Sequence, residues 1–115
     1  MKRPLAYITA AWSGDEIVNI KQAAKYCRVV YEAGFSPVCP LLTLTLFLND
    51  EVPEEHKSGV DMARDLLRRS HVLVVCGDYV DEDVKNDIAT AGRVNITATT
   101  LDGILTVMTH GRSND

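Results

Sequence analysis

The sequence of 115 residues lacks the motifs that mark the commonest phosphate and metal sites. Neither G-x-G-x-x-G nor G-x-x-x-x-G-K-[ST] occurs, which disfavours a dinucleotide or triphosphate site of the familiar kinds. Cys27, Cys39 and Cys76 show no C-x-x-C spacing and stand among apolar residues. We therefore expect free buried thiols, with no disulfide and no zinc, and we expect no cofactor.

Excess basic charge and long apolar runs are also missing. The formal net charge is −4, with 12 Lys and Arg against 16 Asp and Glu, and the scattered basic residues form no stripe for a phosphate backbone, so nucleic acid is not an expected partner. No apolar run is long enough for a membrane span or a secretion signal. We expect a cytoplasmic protein without a membrane partner, folded as a single domain over residues 1–115 with a frayed tail at 111–115.

What the sequence does contain is organised around residues 71–92. The run HVLVVCGD at 71–78 is short, almost wholly apolar and rich in β-branched residues, which is typical of a strand buried on both faces. Asp81 can cap the helix that follows, and Gly92 is expected to end it. The apolar positions of that helix recur at helical spacing: Val84, Ile88 and Ala91.

Other strands and helices alternate along the chain. Residues 5–11, 35–40 and 94–98 read as strands, while residues 53–69 and 100–109 read as helices. Another helix is predicted between Ser13, which with Glu16 has capping-box spacing, and Gly34 at its carboxyl end. Its predicted inward stripe consists of Ile17, Ile20, Ala24, Cys27 and Tyr31.

This alternation predicts an α/β fold, an open parallel sheet with helices on both faces. We expect the strand order 2-1-3-4. The loops at 9–15 and 77–83 should then line one crevice at the carboxyl edge of the sheet, where open α/β sheets bind ligands.

The segment LLTLTLFL at 41–48 is ambiguous. Its alternation suits a half-buried strand, and its density of leucine equally suits a short helix or flap packed against a neighbour. Apolar surface of this kind on a small domain favours a subunit interface over a cofactor site. We therefore predict a homo-oligomer.

An acidic cluster follows the central strand: Asp78, Asp81, Glu82, Asp83 and Asp87. It suits a solvated helix start, because carboxylates are favoured there. It equally suits a site for a neutral, hydroxyl-rich ligand, since carboxylates accept hydrogen bonds from sugar hydroxyls and can attack an anomeric carbon. A divalent cation is disfavoured, because the glycine and final glutamate of a calcium loop are missing.

Two other candidates are weaker. The loop Trp12-Ser13-Gly14 could hold a phosphate through backbone amides or could simply cap a helix. His71 and Cys76 stand five steps apart on one strand, roughly 16 Å at about 3.3 Å per residue, so they cannot form a nucleophile and base pair. His71 is expected to be structural, and His56 and His110 exposed.

Several segments together resemble the nucleoside 2-deoxyribosyltransferase-like superfamily, and most closely its short bacterial and phage-associated members. They are residues 7–15 (YITAAWSGD), Asn19, Ala23, Tyr26, and residues 37–40, 53–55 and 77–87. The resemblance covers nearly the whole chain. It implies a flavodoxin-like (Rossmann-like) three-layer fold whose relatives cleave or exchange the N-glycosidic bond of deoxynucleosides or deoxynucleotides through a covalent deoxyribosyl carboxylate.

The resemblance also implies roles for individual residues. Asp87 matches the nucleophile, Tyr7 the residue that orients it, and Asp81 the carboxylate that contacts the base. Asp61 is the nearest match for a further carboxylate, and Trp12 would pack against the ligand. The remaining substrate-binding positions would be Thr9, Ala11, Ser13, Gly14, Gly77, Asp78 and Asp83, with no metal ligand.

Three positions depart from the family pattern. Asp87 stands where the family has glutamate, Asp83-Val84 where it has glycine-methionine, and Leu41 where close relatives carry histidine. The shorter carboxylate bears on turnover, because a misplacement of about 1 Å can lose on the order of a hundredfold in rate. Three functions therefore remain open: an N-deoxyribosyl hydrolase or transferase, a nucleotide-binding module without turnover, and a structural homo-oligomer.

Overall fold

The computed structural model describes residues 3–105. Over this range the strands are β1 (Leu5–Ala10), β2 (Ser36–Val38), β3 (Val72–Cys76) and β4 (Thr97–Thr100), and the helices are α1 (Glu16–Glu32), α2 (Pro53–Arg68) and α3 (Glu82–Arg93). A further helix begins at 101–105. The predicted remainder of that helix, His110 and the predicted frayed tail lie outside the described residues.

All the strand pairings are parallel, and the sheet order is β2-β1-β3-β4. Tyr7 of β1 stands between Val38 of β2 and Leu73 of β3. The predicted order 2-1-3-4 is confirmed. It places the proline-containing β2 at an edge of the sheet, where a missing amide donor costs least.

Alternate residues of the strands supply two cores. One face carries Ala6, Ile8 and Val74 against Ala23 and Val30 of α1. The opposite face carries Tyr7 and Leu73 against Leu67 of α2 and Ala91 of α3. The period of two along a strand thus produces the three-layer, flavodoxin-like architecture that the sequence predicts.

Helix α1 differs from its prediction in where it begins and in which face it buries. Asp15, not Ser13, caps it and accepts from the amides of Ile17 and Val18. Most of the predicted inward stripe is exposed, including Ile17 and Ile20, whereas Asn19 is buried. The carboxyl end follows the prediction, because Gly34 adopts a φ of 100° there and Phe35 N donates to Val30 O.

The boundary between α3 and β4 is also displaced from the prediction. Gly92 lies inside α3, which continues to Arg93, and the left-handed residue that reverses the chain is Asn95, with a φ of 59°. Asparagine tolerates this conformation better than most residues do. β4 consequently begins at Thr97, three residues later than the predicted start at Val94.

The leucine-rich segment forms two 3₁₀ turns, Pro40–Leu42 and Leu44–Leu46, rather than a strand. At the amino-terminal edge of the sheet, His71 Nδ1 accepts from Leu5 N at 2.9 Å. His71 thus has the structural role that the sequence predicts. No helix within residues 3–105 combines the length and apolar character needed to cross a membrane.

Candidate functional site

A cavity of about 900 Å³ lies beside the carboxyl ends of β1 and β2. Its wall includes Tyr7 and Thr9 of β1, Trp12 of the following loop, Leu41 of the first 3₁₀ turn and Asp87 of α3. The volume falls within the range of pockets that enclose small molecules, roughly 300–1,000 Å³. The cavity therefore lies at the predicted carboxyl edge of the sheet. Of the two loops predicted to line it, 9–15 does so and 77–83 does not.

Asp87 and Thr9 connect the second turn of α3 to the first strand. The buried Thr9 hydroxyl donates to Asp87 Oδ2 at 2.6 Å. Burial raises the pKa of Asp87, the Thr9 hydrogen bond lowers it, the Asp83 charge raises it and the Arg64 charge lowers it, with a net upward direction. Asp87 is thus a partly desolvated carboxylate with one oxygen held by Thr9, and it is more basic than an ordinary aspartate.

Tyr7 presents a phenol to the same cavity. Its side chain is 5% exposed, and burial, followed by the charge of Asp87, raises its pKa. The group stays protonated at neutral pH and can donate a hydrogen bond. No hydrogen bond joins it to another described residue, and no fully buried side-chain oxygen or nitrogen in that part of the chain lacks a partner. The Tyr7 hydroxyl is therefore not fully buried, and Tyr7 belongs to the cavity wall. Thr9, not Tyr7, is the residue hydrogen-bonded to Asp87.

The structure brings together only part of the predicted site. Five of the predicted residues line the cavity: Tyr7, Thr9, Trp12, Gly14 and Asp87. Seven lie outside its wall: Ala11, Ser13, Asp61, Gly77, Asp78, Asp81 and Asp83.

Two of these outlying carboxylates have clear positions. Asp81 caps α3 by accepting from Val84 N at 3.0 Å, as the sequence predicts, and its charge reaches Asp87 through space. Asp61 is exposed on α2. The cavity face of α2 contains Glu55, Gly59 and Ala63, and because a helix turns about 100° per residue, Asp61 lies on nearly the opposite side.

The loop after β1 is occupied by its own hydrogen bonds. Ser13 N and Ser13 Oγ lie 2.8 and 2.9 Å from Asn19 Oδ1, and Asn19 Nδ2 donates to Ser13 O. Asp15 N donates to Ser13 Oγ. These contacts explain how the polar Asn19 can be buried, and they support the helix-capping interpretation of this loop over phosphate binding.

The residues that sequence reasoning missed follow the second strand. They line the same cavity: Asp50, Glu51, Glu55 and His56. Asp50 Oδ1 lies 2.7 Å from His56 Nδ1, and Glu55 accepts from Asn49 N at 3.0 Å. His56 is exposed as predicted. The signal was available, because the loop after any strand of a parallel sheet emerges at the same edge.

No group of three or more His, Cys, Asp or Glu side chains within residues 3–105 is arranged to hold a metal ion. Cys27, Cys39 and Cys76 are free thiols, as predicted. The groups that this site offers for chemistry are therefore a partly desolvated carboxylate, a neutral phenol and the further carboxylates of the wall, which include Asp50, Glu51 and Glu55.

Comparison with known proteins extends this description. The chain resembles the solved structure of a 2-deoxyribosyltransferase from the psychrotolerant bacterium Bacillus psychrosaccharolyticus, with a TM-score of 0.69 and 10% identity, over 84% of this chain and 70% of that one. At this identity the likeness shows a shared fold. No curated protein matches the sequence. Residues 4–101 match the family model described as Domain of unknown function (DUF7768), and the chain belongs to that family.

Proposed function

We propose that this protein binds deoxynucleosides or deoxynucleotides and acts on their N-glycosidic bond as a hydrolase or deoxyribosyltransferase. The observation that carries the proposal is the partly buried Asp87 carboxylate in the wall of a ligand-sized cavity, with one oxygen bonded to Thr9 at 2.6 Å. The fold shared with a 2-deoxyribosyltransferase supports the same chemistry.

In the proposed reaction, the carboxylate oxygen of Asp87 that Thr9 leaves free attacks the anomeric carbon of the sugar. The bond from that carbon to the base nitrogen breaks, its electron pair stays on the base, and the base takes a proton from water. A deoxyribosyl ester of Asp87 results. Water, or a second base in a transfer, then attacks the same carbon and releases the carboxylate.

The surroundings of Asp87 suit a nucleophile. Burial raises its pKa, and a more basic oxygen is a stronger nucleophile once ionised. The phenol of Tyr7 can donate a hydrogen bond to a ligand oxygen or to the carboxylate, and the Trp12 ring can pack against a base.

Binding without turnover is the second candidate, and one observation favours it. Neither Asp61 nor Asp81 lines the cavity, so of the three carboxylates that the family resemblance implies, only Asp87 does. A site with one such carboxylate can hold a nucleoside while lacking the groups that assist departure of the base.

Chromatography separates the two candidates. The protein is incubated with a panel of deoxynucleosides and their 5′-monophosphates, and free base is quantified. The enzyme proposal predicts release of base that is lost in Asp87→Asn and retained in Glu82→Gln, an exposed carboxylate of the same helix outside the cavity wall. Thermal shifts without release would support the binding module, because a ligand at a hundredfold its dissociation constant adds about 2.7 kcal/mol.

A further inference from the structure

The charges around the cavity bear on which ligands it accepts. Its lining includes five carboxylates: Glu16, Asp50, Glu51, Glu55 and Asp87. No Lys or Arg belongs to that lining within the described residues, and His56 is the sole basic side chain in it. The charge of Arg64 acts on Asp87, but Arg64 lies outside the wall.

A second observation concerns the helix amino terminus that borders the cavity at Gly14 and Glu16. Such a terminus usually attracts phosphate, because its first amides are unpaired. Here the amides of Ile17 and Val18 donate to the Asp15 carboxylate. The amides of Ser13 and Asp15 are used within the loop as well. The carboxylate of Asp15 thus occupies the place that a phosphate oxygen would take.

A third observation shows that the cavity is nevertheless equipped for a polar ligand. Tyr7 is only 5% exposed and belongs to the cavity wall, yet its hydroxyl bonds to no described residue and is not fully buried. A neutral phenol donates readily to a hydroxyl or carbonyl oxygen. The phenol therefore provides a donor for a polar ligand, and the carboxylates of the lining are the groups that disfavour an anionic one.

We infer that the site accepts deoxynucleosides without a 5′-phosphate and rejects the corresponding monophosphates. This inference rests on the proposed function and narrows its substrate class. A phosphate near the mouth of the cavity would meet Glu16, Glu51 and Glu55 with no Lys or Arg among the described lining residues to balance them. A nucleoside carries the same base and sugar and is free of that repulsion.

The test compares dissociation constants for matched pairs, each deoxynucleoside against its own 5′-monophosphate, by isothermal titration calorimetry. We expect the monophosphates to bind at least about tenfold more weakly at low salt, and the ratio to shrink as salt screens the carboxylates. The double variant Glu16→Gln, Glu51→Gln should lower the ratio of the monophosphate's dissociation constant to that of its nucleoside. Glu54→Gln, an exposed neighbour outside the cavity wall, should leave it unchanged.

One result contradicts the inference alone, and another contradicts both the inference and the proposed function. Monophosphates that bind wild-type protein as tightly as nucleosides overturn the inference and leave the proposed function standing. Binding of neither class overturns both. The salt dependence is measured on wild-type protein, so a ratio that persists unchanged at high salt overturns the electrostatic argument even where a variant fails to fold.

Discussion

The hydroxyl of Thr9 lies 2.6 Å from Oδ2 of Asp87 and joins the first strand to the helix that follows the third. The two residues are far apart in sequence, and the parallel order β1-β3 brings their elements together. Thr9 holds one carboxylate oxygen and leaves the other for the cavity.

Replacing Thr9 by valine should raise the pKa of Asp87 further, because the hydrogen bond from Thr9 favours the ionised carboxylate. The midpoint would be followed by NMR titration of the Asp87 carboxyl carbon. Thr9→Ser keeps the hydroxyl and should stay close to wild type. An unchanged midpoint in the valine variant would show that the bond does not govern the ionisation.

Asp87→Asn should raise the thermal unfolding midpoint at about pH 7. The pKa of Asp87 is higher in the folded protein than its ordinary value, so folding favours the protonated acid. The stability that this group contributes is present at low pH and is lost as pH rises through the folded pKa. The gain from asparagine should therefore vanish near about pH 3, below the ordinary aspartate pKa.

Thermal scans across that pH range would test this expectation, with the exposed Glu54→Gln as the control. A gain of equal size at both ends of the range would contradict the assignment, since a loss of charge alone explains only the pH-dependent part.

The three thiols should differ in reactivity. A hydrogen bond from Cys39 lowers the pKa of Cys27, and that bond together with burial raises the pKa of Cys39. Burial raises the pKa of Cys76 to about 12. Because the thiolate is the reactive form, an alkylating agent should label Cys27 first, as peptide mass spectrometry would show. Labelling of Cys76 before Cys27 would contradict this order.

Replacing Gly77 or Gly92 by alanine should change the free energy of unfolding in opposite directions. Gly77 adopts a φ of 81° and an added Cβ would lie 3.3 Å from the Tyr26 hydroxyl, so Gly77→Ala should cost roughly 1–2 kcal/mol. Gly92 lies inside α3 with open space around it, and Gly92→Ala should stabilise by about 0.5–1 kcal/mol. Urea unfolding measures both, and a stabilised Gly77 variant would contradict the turn geometry.

The predicted homo-oligomer remains a prediction, and the leucine-rich segment offers a way to test it. Leu46 and Phe47 are 81% and 64% exposed, a large apolar surface for adjacent residues. Light scattering after size exclusion should show an oligomer that Leu46→Ser with Phe47→Ser makes smaller. Val94→Ser, an exposed apolar position at the end of α3, is the control. A strict monomer at micromolar concentration would contradict the prediction.

The parts of the fold that the sequence predicts well are those where local pattern and tertiary burial agree. β3 is a compact apolar run buried in the middle of the sheet, and Gly34 ends α1 because only its φ of 100° allows the chain to turn there. The face of α1 was mispredicted, because hydrogen bonds to Ser13 let Asn19 be buried while Ile17 is left exposed. Hydrophobic periodicity considers only apolar residues, so it does not predict the burial of a polar residue whose hydrogen-bond partners belong to a neighbouring loop.

The sequence predicted some residues of the cavity wall and missed others. Tyr7, Thr9 and Asp87, which the family resemblance and the carboxyl-edge rule both indicate, all line the cavity. Asp61 was chosen by spacing along the chain, and helical phase turns it away from the cavity. Residues 53–69 were predicted only as a helix, although the position of its first turn after β2 brings Glu55 and His56 to the same edge of the sheet.

The central claim is that Asp87 attacks the sugar, and mass spectrometry of acid-quenched protein mixed with a deoxynucleoside tests it most directly. The account predicts a deoxyribosyl group on the peptide that contains Asp87, and none on that peptide in Asp87→Asn. A deoxyribosyl group on any other residue, or base released by Asp87→Asn at the wild-type rate, would contradict it.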